Sequence, residues 1–353
     1  MKTLTGILLG VCLFIFAFPV YAQEASTTQP LQSADVLFGD DDVLALTLAA
    51  DLRAVLRDIS DDRPYREASL SYLDSDSSEV TLGIRVKTRG FFRRLHLNCD
   101  VPPLRLNFKD SRAEHTLFAG QGILKLVTHC RNSKAFEQQL LQEYLIYKAY
   151  HLLTPFSFRV RLARITYIDT RGKRKPITKD AFFIENDDRM AERHDGVLLE
   201  TQRIHAEATD RALITLLSVF QYMMGNTDWG VTSRHNIKVI YTKSHPAPIA
   251  VPYDFDWAGL IDAPYAKPDP QLNLRSVRER RFMGYCRTEE EFAAVFAQFN
   301  EKKEATYALF RDFQPLERKY AQRSIQYLEE SYDIINDSSD IRWAFFEACL
   351  SVR

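Results

Sequence analysis

Four side chains at turns have the types that metal-dependent phosphoryl transfer requires. Asp228 and Asn236 lie in the segment GNTDWGVTSRHN, and Asp254 and Asp256 follow in the segment PYDFD. This chemistry uses one carboxylate to orient a nucleophile, while Asn and Asp oxygens hold Mg²⁺ against the phosphates of a nucleotide. The sequence therefore contains the side chains for a magnesium and phosphate site.

The Asp-Phe-Asp segment has two interpretations. If it continues a strand, Asp254 and Asp256 lie on one face, and two neighbouring carboxylates favour a cation between them. The alternative is an ion-paired structural cluster, with Arg278 or Arg280 as the partner. The combination with Asn236 favours the metal or phosphate site.

The N-terminal segment has the features of a cleavable signal peptide. Met1-Lys2 is a short basic start, residues 7–20 are apolar, and Val20-Tyr21-Ala22 fits the positions that a signal peptidase reads. We expect a signal peptide over residues 1–22, a disordered linker over residues 23–35, and export to the periplasm or the cell exterior. The alternative is an uncleaved membrane anchor. No later run is long and apolar enough to span a bilayer.

Composition narrows the possible partners. The formal net charge is −1, so no basic nucleic-acid face is indicated. Signal cleavage would leave an even number of cysteines, which permits disulfides in an exported protein. These cysteines are Cys99, Cys130, Cys286 and Cys349. A bridge between Cys99 and Cys130 is plausible because both flank predicted strands, whereas the spacing leaves the overall pairing open and fits no zinc site.

The first half of the chain has the pattern of a sheet with a docked helix. Leucines with largely helical spacing predict a helix over residues 43–59. Alternating apolar residues predict strands over residues 68–73, 80–87, 103–108, 123–127, 156–168 and 176–184. A wide apolar face predicts a second helix over residues 134–152, which Pro155 ends. We expect a mostly antiparallel sheet here.

The second half is richer in helices. An apolar helix is predicted over residues 208–224, with Thr209 as N-cap and Gly225 at its end. Strands are predicted over residues 237–241 and 248–251, and helices follow from Thr288 onward. The expected fold class is therefore α+β, a two-lobed protein-kinase-like fold. Its β-rich N-lobe with one docked helix would span residues 36–190, and its α-rich C-lobe would span residues 191–353.

Several motifs resemble those of the CotH-type (spore coat protein H) atypical kinases. The motifs are VKTRG, PPLRLNF, LKLV with the helix after it, FFIE, NTD with the later Asn236, and YDFD, and the resemblance covers roughly residues 80–260. A group of exported bacterial proteins of unassigned function is similar to this chain in the motifs TRG, PPLRLNF, LKLVTHC, GNTDW and PYDFD. The resemblance implies phosphoryl transfer to a hydroxyl acceptor, with Mg²⁺ and ATP as cofactors.

The resemblance also implies a role for each site residue. Asp228 would accept the proton of the acceptor hydroxyl, Asn236 and Asp254 would bind Mg²⁺, and Asp256 would be a further metal ligand. The implied nucleotide-binding residues are Arg89, Gly90, Lys125, Glu143 and Glu185. Lys125 would contact phosphates and pair with Glu143 or Glu137, and Glu185 would lie near the base. Arg105 is an alternative phosphate contact.

Three functions remain open from the sequence. The first is an exported kinase-like enzyme that phosphorylates an unknown protein or small molecule. The second is a catalytically inactive kinase-fold binding module of the cell envelope, which would hold an anionic ligand or partner with Arg89, Arg93, Arg94 and the arginines of residues 275–281. The third is a metal-dependent hydrolase built on Asp228 and the Asp-Phe-Asp segment.

Overall fold

The computed structural model describes residues 36–200 and 203–351, and its first half is a closed β-barrel. The barrel strands are β1 (Leu44–Ala50), β2 (Arg66–Leu73), β3 (Glu79–Thr88), β4 (Leu104–Asn107), β5 (Ile123–Val127), β6 (Val160–Asp169) and β7 (Ile177–Ile184). Their order around the barrel is β1-β2-β3-β4-β5-β7-β6, and β6 pairs back with β1. The closing β1–β6 pair is parallel, and the other pairs are antiparallel. The predicted signal peptide and linker lie outside the described residues.

The predicted two-lobed, kinase-like fold with an α-rich C-lobe is wrong. The structure has instead a closed barrel of seven strands in mixed orientation, and helices form a minority of the chain. The strand that closes this barrel is β1, which pairs with β2 on one side and with β6 on the other. The predicted division near residue 190 stays a prediction, although the barrel strands do end at Ile184.

The closing strand lies where the sequence predicted a helix. Leu46, Leu48 and Ala50 are buried, and the residues between them are only partly buried, which is the period of two that a strand requires. The helix begins later, as α1 (Leu52–Arg57), after Asp51 accepts a hydrogen bond from the amide of Ala54 at 3.0 Å. The helical prediction merged these two elements.

Apolar side chains fill the barrel, as expected for one of this size. The outer face of β3, β4 and β5 carries cations instead. Lys87 lies opposite Arg105, and Arg105 lies opposite Lys125. Because directly opposed residues of paired strands share a face, these three side chains form one row across the barrel wall, the cation row.

A long helix, α2 (Lys134–Leu153), packs against β6 and β7 and against the C-terminal helices. It confirms the helix predicted over residues 134–152. The hydroxyl of Ser133 caps it by accepting from the amide of Phe136 at 3.5 Å. The buried middle of α2 contributes Glu143 and Tyr147 to the site described below.

The second half contains a small sheet and most of the helices. Its elements are α3 (Asp187–Glu192), β8 (Gly196–Leu198), α4 (Arg211–Met224), β9 (Ile237–Thr242), β10 (Ile249–Pro252), α5 (Glu289–Arg311), α6 (Arg318–Asn336), α7 (Ser338–Ile341) and a π-helical turn (Arg342–Phe346). The three strands form an antiparallel sheet in the order β10-β9-β8. A capping box of Thr288 and Glu291 begins α5, where the sequence predicts helices from Thr288 onward. None of the helices within the two described ranges is long and apolar enough to cross a bilayer.

The buried helix α4 ends where the sequence predicts. Gly225 has a φ of +65°, and an added Cβ would lie 2.0 Å from the hydroxyl oxygen of Tyr327. Both the left-handed backbone and this close approach require glycine. The N-cap is Asp210, which accepts from the amide of Leu213 at 3.0 Å, so the prediction of Thr209 is one residue early.

Two disulfides join the four cysteines of the described residues, Cys99 to Cys130 and Cys286 to Cys349. The first confirms the bridge considered from the sequence. Beside Cys130 lies His129, which is fully buried and whose two ring nitrogens have no hydrogen-bond partner in the part of the chain that the structure describes. Burial lowers the pKa of His129 to about 4, so the ring is neutral.

Replacing His129 by leucine is expected to stabilise the protein in acid. Because the folded pKa lies below the ordinary value of 6.5, the stability that depends on the neutral ring is lost as pH falls from 6.5 towards 4. The advantage of His129→Leu over the native chain should grow across this window, to about 3 kcal/mol. Urea unfolding at several pH values measures it. His115→Leu, at an exposed position, is the control, and an advantage independent of pH would contradict the assignment.

Candidate functional site

A short hairpin after α4 holds Asp228 in place. The side-chain oxygen of Asn226 accepts from the amide of Asp228 at 3.1 Å, and the Asn226 amide group donates to Gln221 at 2.9 Å. Two backbone hydrogen bonds, of 2.9 and 3.0 Å, then join Gly230 to His235. This hairpin brings His235 and Asn236 back beside Asp228.

Both carboxylate oxygens of Asp228 are engaged by the returning strand of the hairpin. The Oδ1 atom lies 2.7 Å from Nε2 of His235, and Oδ2 accepts from Nδ2 of Asn236 at 2.9 Å. Asn236 also donates to the backbone carbonyl of Asp228 at 2.8 Å. The carboxylate remains about one-third exposed. Asp228 is therefore oriented by two neighbours and still open to a ligand.

The predicted metal ligands are connected to this hairpin. The carbonyl of Asn236 accepts from the amide of Tyr253 at 3.0 Å. Asp254 follows Tyr253 in the chain, so this bond holds Asp254 close to Asn236. The amide of Asp254 donates to the hydroxyl of Tyr147 at 2.7 Å. The structure therefore brings Asp228, Asn236 and Asp254 together. Asp254 has a φ of +61° beyond the end of β10, so the Asp-Phe-Asp segment does not continue the strand, and the condition for a shared strand face of Asp254 and Asp256 is not met.

A single arginine lies among three carboxylates, which we call the carboxylate cluster: Glu143, Asp254 and Asp256. Arg93 Nη1 lies 3.5 Å from Glu143, Nη2 lies 3.1 Å from Asp254, and Nε lies 3.3 Å from Asp256. The hydroxyl of Tyr265 also donates to Asp256 at 2.9 Å. The ion-paired interpretation of the Asp-Phe-Asp segment was therefore correct in kind but named the wrong partner.

Burial keeps protons on part of the carboxylate cluster. Burial raises the pKa of Glu143 to about 8, although Arg93 opposes the shift. Burial likewise raises the pKa of Asp256 to about 6, with Asp254 and Asp228 adding to the effect. One guanidinium does not compensate the buried carboxylates of Glu143 and Asp256 together with the part-exposed Asp254, so the cluster has a deficit of positive charge.

Lys125 has a different partner from the one predicted. Its ammonium pairs with Asp187 of α3, which also lies 3.1 Å from Nζ of Lys238. The predicted pair with Glu143 or Glu137 is not formed, since Glu137 contacts Lys179 at 3.2 Å. Burial lowers the pKa of Lys125 to about 8, with Asp187 opposing the shift and Arg89 adding to it.

Arg89 is a buried cation whose side chain makes no hydrogen bond or ion pair within the described ranges. It is 9% exposed, and its Nε atom is fully shielded from solvent. Its charge acts on both Lys125 and Glu143, so it lies near each of them. Gly90 follows with a φ of +82° and with open space where a Cβ would stand. An anion that contacts Arg89 would complete its hydrogen bonds.

Glu185 is fully engaged by the protein. Its two carboxylate oxygens accept from Arg193 at 2.9 and 3.0 Å, and one also accepts from the amide of Arg159 at 3.1 Å. It is 1% exposed. Glu185 therefore stabilises the turn that follows β7, and the structure leaves it no free oxygen for a nucleotide base.

The donor atoms that remain free suit Mg²⁺. Within the described residues, one oxygen each of Asn236, Asp254 and Asp256 has no hydrogen-bond partner. No three His, Cys, Asp or Glu side chains of residues 36–200 and 203–351 meet in a metal-binding arrangement. Mg²⁺ usually takes only one or two carboxylates and completes its shell with phosphates and water. The donor types of this oxygen-only set are therefore those that Mg²⁺ uses together with a phosphate ligand.

No family model matches the chain, and a search of curated proteins found no match. Sequence reasoning missed Asp187 and Tyr265 as members of the site. It named Arg93 as a contact for an anionic ligand and missed its carboxylate partners, which lie far along the chain and which no spacing rule connects to it.

Proposed function

We propose that this protein binds a nucleotide and transfers a phosphoryl group to a hydroxyl acceptor, with Mg²⁺ as cofactor. The observation that carries the proposal is the hydrogen bond between Asn236 and Asp228, together with the backbone bond from Tyr253 to Asn236 that places Asp254 close by, near the cations Arg89 and Lys125. The proposal rests on these side chains and requires no kinase-like fold. The acceptor is a hydroxyl of a protein or of a small molecule.

Each side chain has a chemical task in this proposal. Asp228 accepts the proton of the acceptor hydroxyl, and its contacts with His235 and Asn236 aim its oxygens. Arg89 and Lys125 contact the phosphates, and the neighbouring Arg105 of the cation row extends the positive surface. Mg²⁺, held by oxygens of Asn236 and the two aspartates, would neutralise charge on the phosphates.

The proposed setting is outside the cytoplasm. The two disulfides support it, since such bonds persist mainly in oxidising compartments. The N-terminal sequence features described above are the second support. A nucleotide-dependent enzyme there would depend on a local supply of its nucleotide.

A second candidate is a binding module of the cell envelope that holds an anionic ligand without transferring phosphate. The observation that favours it is Arg93, whose guanidinium contacts both aspartates that the first proposal gives to Mg²⁺. Arg89 and Lys125 would keep the same role as anion contacts. The two candidates differ in whether a nucleotide loses its terminal phosphate.

Thermal unfolding with and without Mg²⁺·ATP tests the first proposal. At a ligand concentration of 100 times the Kd, binding is expected to stabilise the native chain by about 2.7 kcal/mol. Asp254→Ala should lose most of this gain because it removes a cation ligand, whereas Asp333→Ala, at an exposed position of α6, should keep it. An unchanged gain in Asp254→Ala would refute the assigned metal site.

Phosphate release separates the two candidates. Stabilisation by Mg²⁺·ATP together with loss of the γ-phosphate supports the transferase. Stabilisation by ATP without any loss of phosphate, and without dependence on Mg²⁺, supports the binding module. If no nucleotide stabilises the chain, the transferase fails and the binding module gains, and inorganic phosphate is the next probe for Arg89 and Lys125.

A further inference from the structure

Arg93 is placed as a cation at the centre of the carboxylate cluster. Each of its three guanidinium nitrogens faces a different carboxylate, at 3.1 to 3.5 Å. The side chain of Arg93 is 9% exposed, so these contacts are shielded from bulk water. Attraction between opposite charges is stronger in such a shielded place than in water. The three acids are held around the guanidinium and do not meet at one point.

The charges of the cluster do not balance. Asp254 and Asp256 bring two negative charges and Glu143 brings a third when it is ionised, whereas Arg93 brings one positive charge. The cluster therefore keeps an excess of negative charge, which favours the binding of one divalent cation. A second divalent cation would need the carboxylate oxygens that face Arg93, and its charge would be repelled by the guanidinium.

Packing contacts, a hydrogen bond and a disulfide fix the loop that contains Arg93 beside the carboxylate cluster. The ring of Phe92 packs against Trp257 and Tyr265, with ring centroids 5.4 and 5.5 Å away. The side chain of Asn98 donates to the carbonyl of Phe92 at 2.8 Å, and the adjacent Cys99 is bonded to Cys130. These contacts hold the backbone on both sides of Arg93, so its guanidinium is a fixed part of the site.

We propose that Arg93 takes the place of one divalent cation in the carboxylate cluster, so that the site has room for only one. The inference deepens the proposed function, on whose cation site it rests, by making Arg93 the residue that sets the number of cations. Arg93 positions the carboxylates and limits their charge, and it need not touch the transferred phosphoryl group.

Counting bound Mn²⁺ tests the proposal without any assay of activity. Mn²⁺ alone is titrated into the native chain and into Arg93→Met, and free Mn²⁺ is followed by electron paramagnetic resonance. We expect one bound Mn²⁺ per native chain and one more per variant chain. Arg93→Lys keeps a positive charge and should bind as the native chain does. Arg94→Met, at a neighbouring buried arginine that pairs with Asp61, should bind no additional ion.

The outcomes separate this inference from the proposed function. One additional ion in Arg93→Met supports the role of Arg93, even if the native chain binds none and the proposed cation site fails. Equal numbers of bound Mn²⁺ in the native chain and in Arg93→Met overturn the inference. If the variant then differs only by a lower melting temperature, the role of Arg93 is structural. If Arg93→Met does not fold, the number of Mn²⁺ ions bound by Arg93→Gln, which keeps hydrogen-bond donors, tests the inference instead.

Discussion

Replacing Asp228 by asparagine is expected to slow phosphoryl transfer roughly 10²- to 10⁴-fold and to leave Mg²⁺·ATP binding unchanged. Asparagine has the same shape and can still accept the hydrogen bond from Asn236, but it cannot take a proton from the acceptor. Because Asp228 is only part-buried and is held by a short hairpin, the fold should tolerate the change. Release of labelled γ-phosphate and labelling of the protein itself measure the rate.

The neighbouring His235 supplies the control for this experiment. His235→Gln removes the ring that lies 2.7 Å from Asp228 but leaves the carboxylate in place, so a much smaller loss of rate is expected. If Asp228→Asn transfers phosphate as fast as the native chain, Asp228 is not the proton acceptor. If both rate and binding disappear, its role is structural.

Replacing Glu143 by glutamine is expected to stabilise the protein increasingly as the pH rises. The folded chain keeps the proton of Glu143 up to about pH 8, whereas the unfolded chain loses it near the ordinary pKa of 4.5. The contribution of Glu143 to the free energy of unfolding is therefore fully present below pH 4.5 and is lost as the pH rises towards 8. Glutamine resembles the protonated form and avoids this loss, which is on the order of a few kcal/mol.

Melting temperatures between pH 5 and about 8.5 in the presence of a metal chelator would measure the effect. Arg93 keeps Asp254 and Asp256 as partners in the variant, so its charge stays compensated. Glu192→Gln, at an exposed position of α3, should show no such trend. A difference between Glu143→Gln and the native chain that does not change with pH would mean that Glu143 is already ionised in the folded protein.

Most individual elements could be predicted from the sequence, but the architecture could not. The helices α2 and α4 and the barrel strands after β1 follow from periodicity and from turn residues. The prediction failed at residues 44–50, where leucines of a strand run directly into leucines of α1 and give a combined spacing that resembles a helix. That one strand decides whether the sheet is open or closed.

The candidate site was predictable to the extent that it is local. Asp228 and Asn236 share one hairpin, and Asp254 follows the next strand pair, so their proximity follows from short connections. The counter-ions were not predictable. Arg93 lies 161 residues from Asp254, and Lys125 lies 62 residues from Asp187, so only the folded barrel brings them together.

The parallel pairing of β1 with β6 has a consequence for the order of folding. Leu44 lies opposite Ala163, so the first strand of the barrel acquires its last neighbour only after β6 has been synthesised. Contacts between such distant segments form slowly, because a long stretch of chain must first be ordered. During synthesis one edge of β1 stays open, and the nascent protein is most vulnerable to mispairing with other chains before that edge is covered.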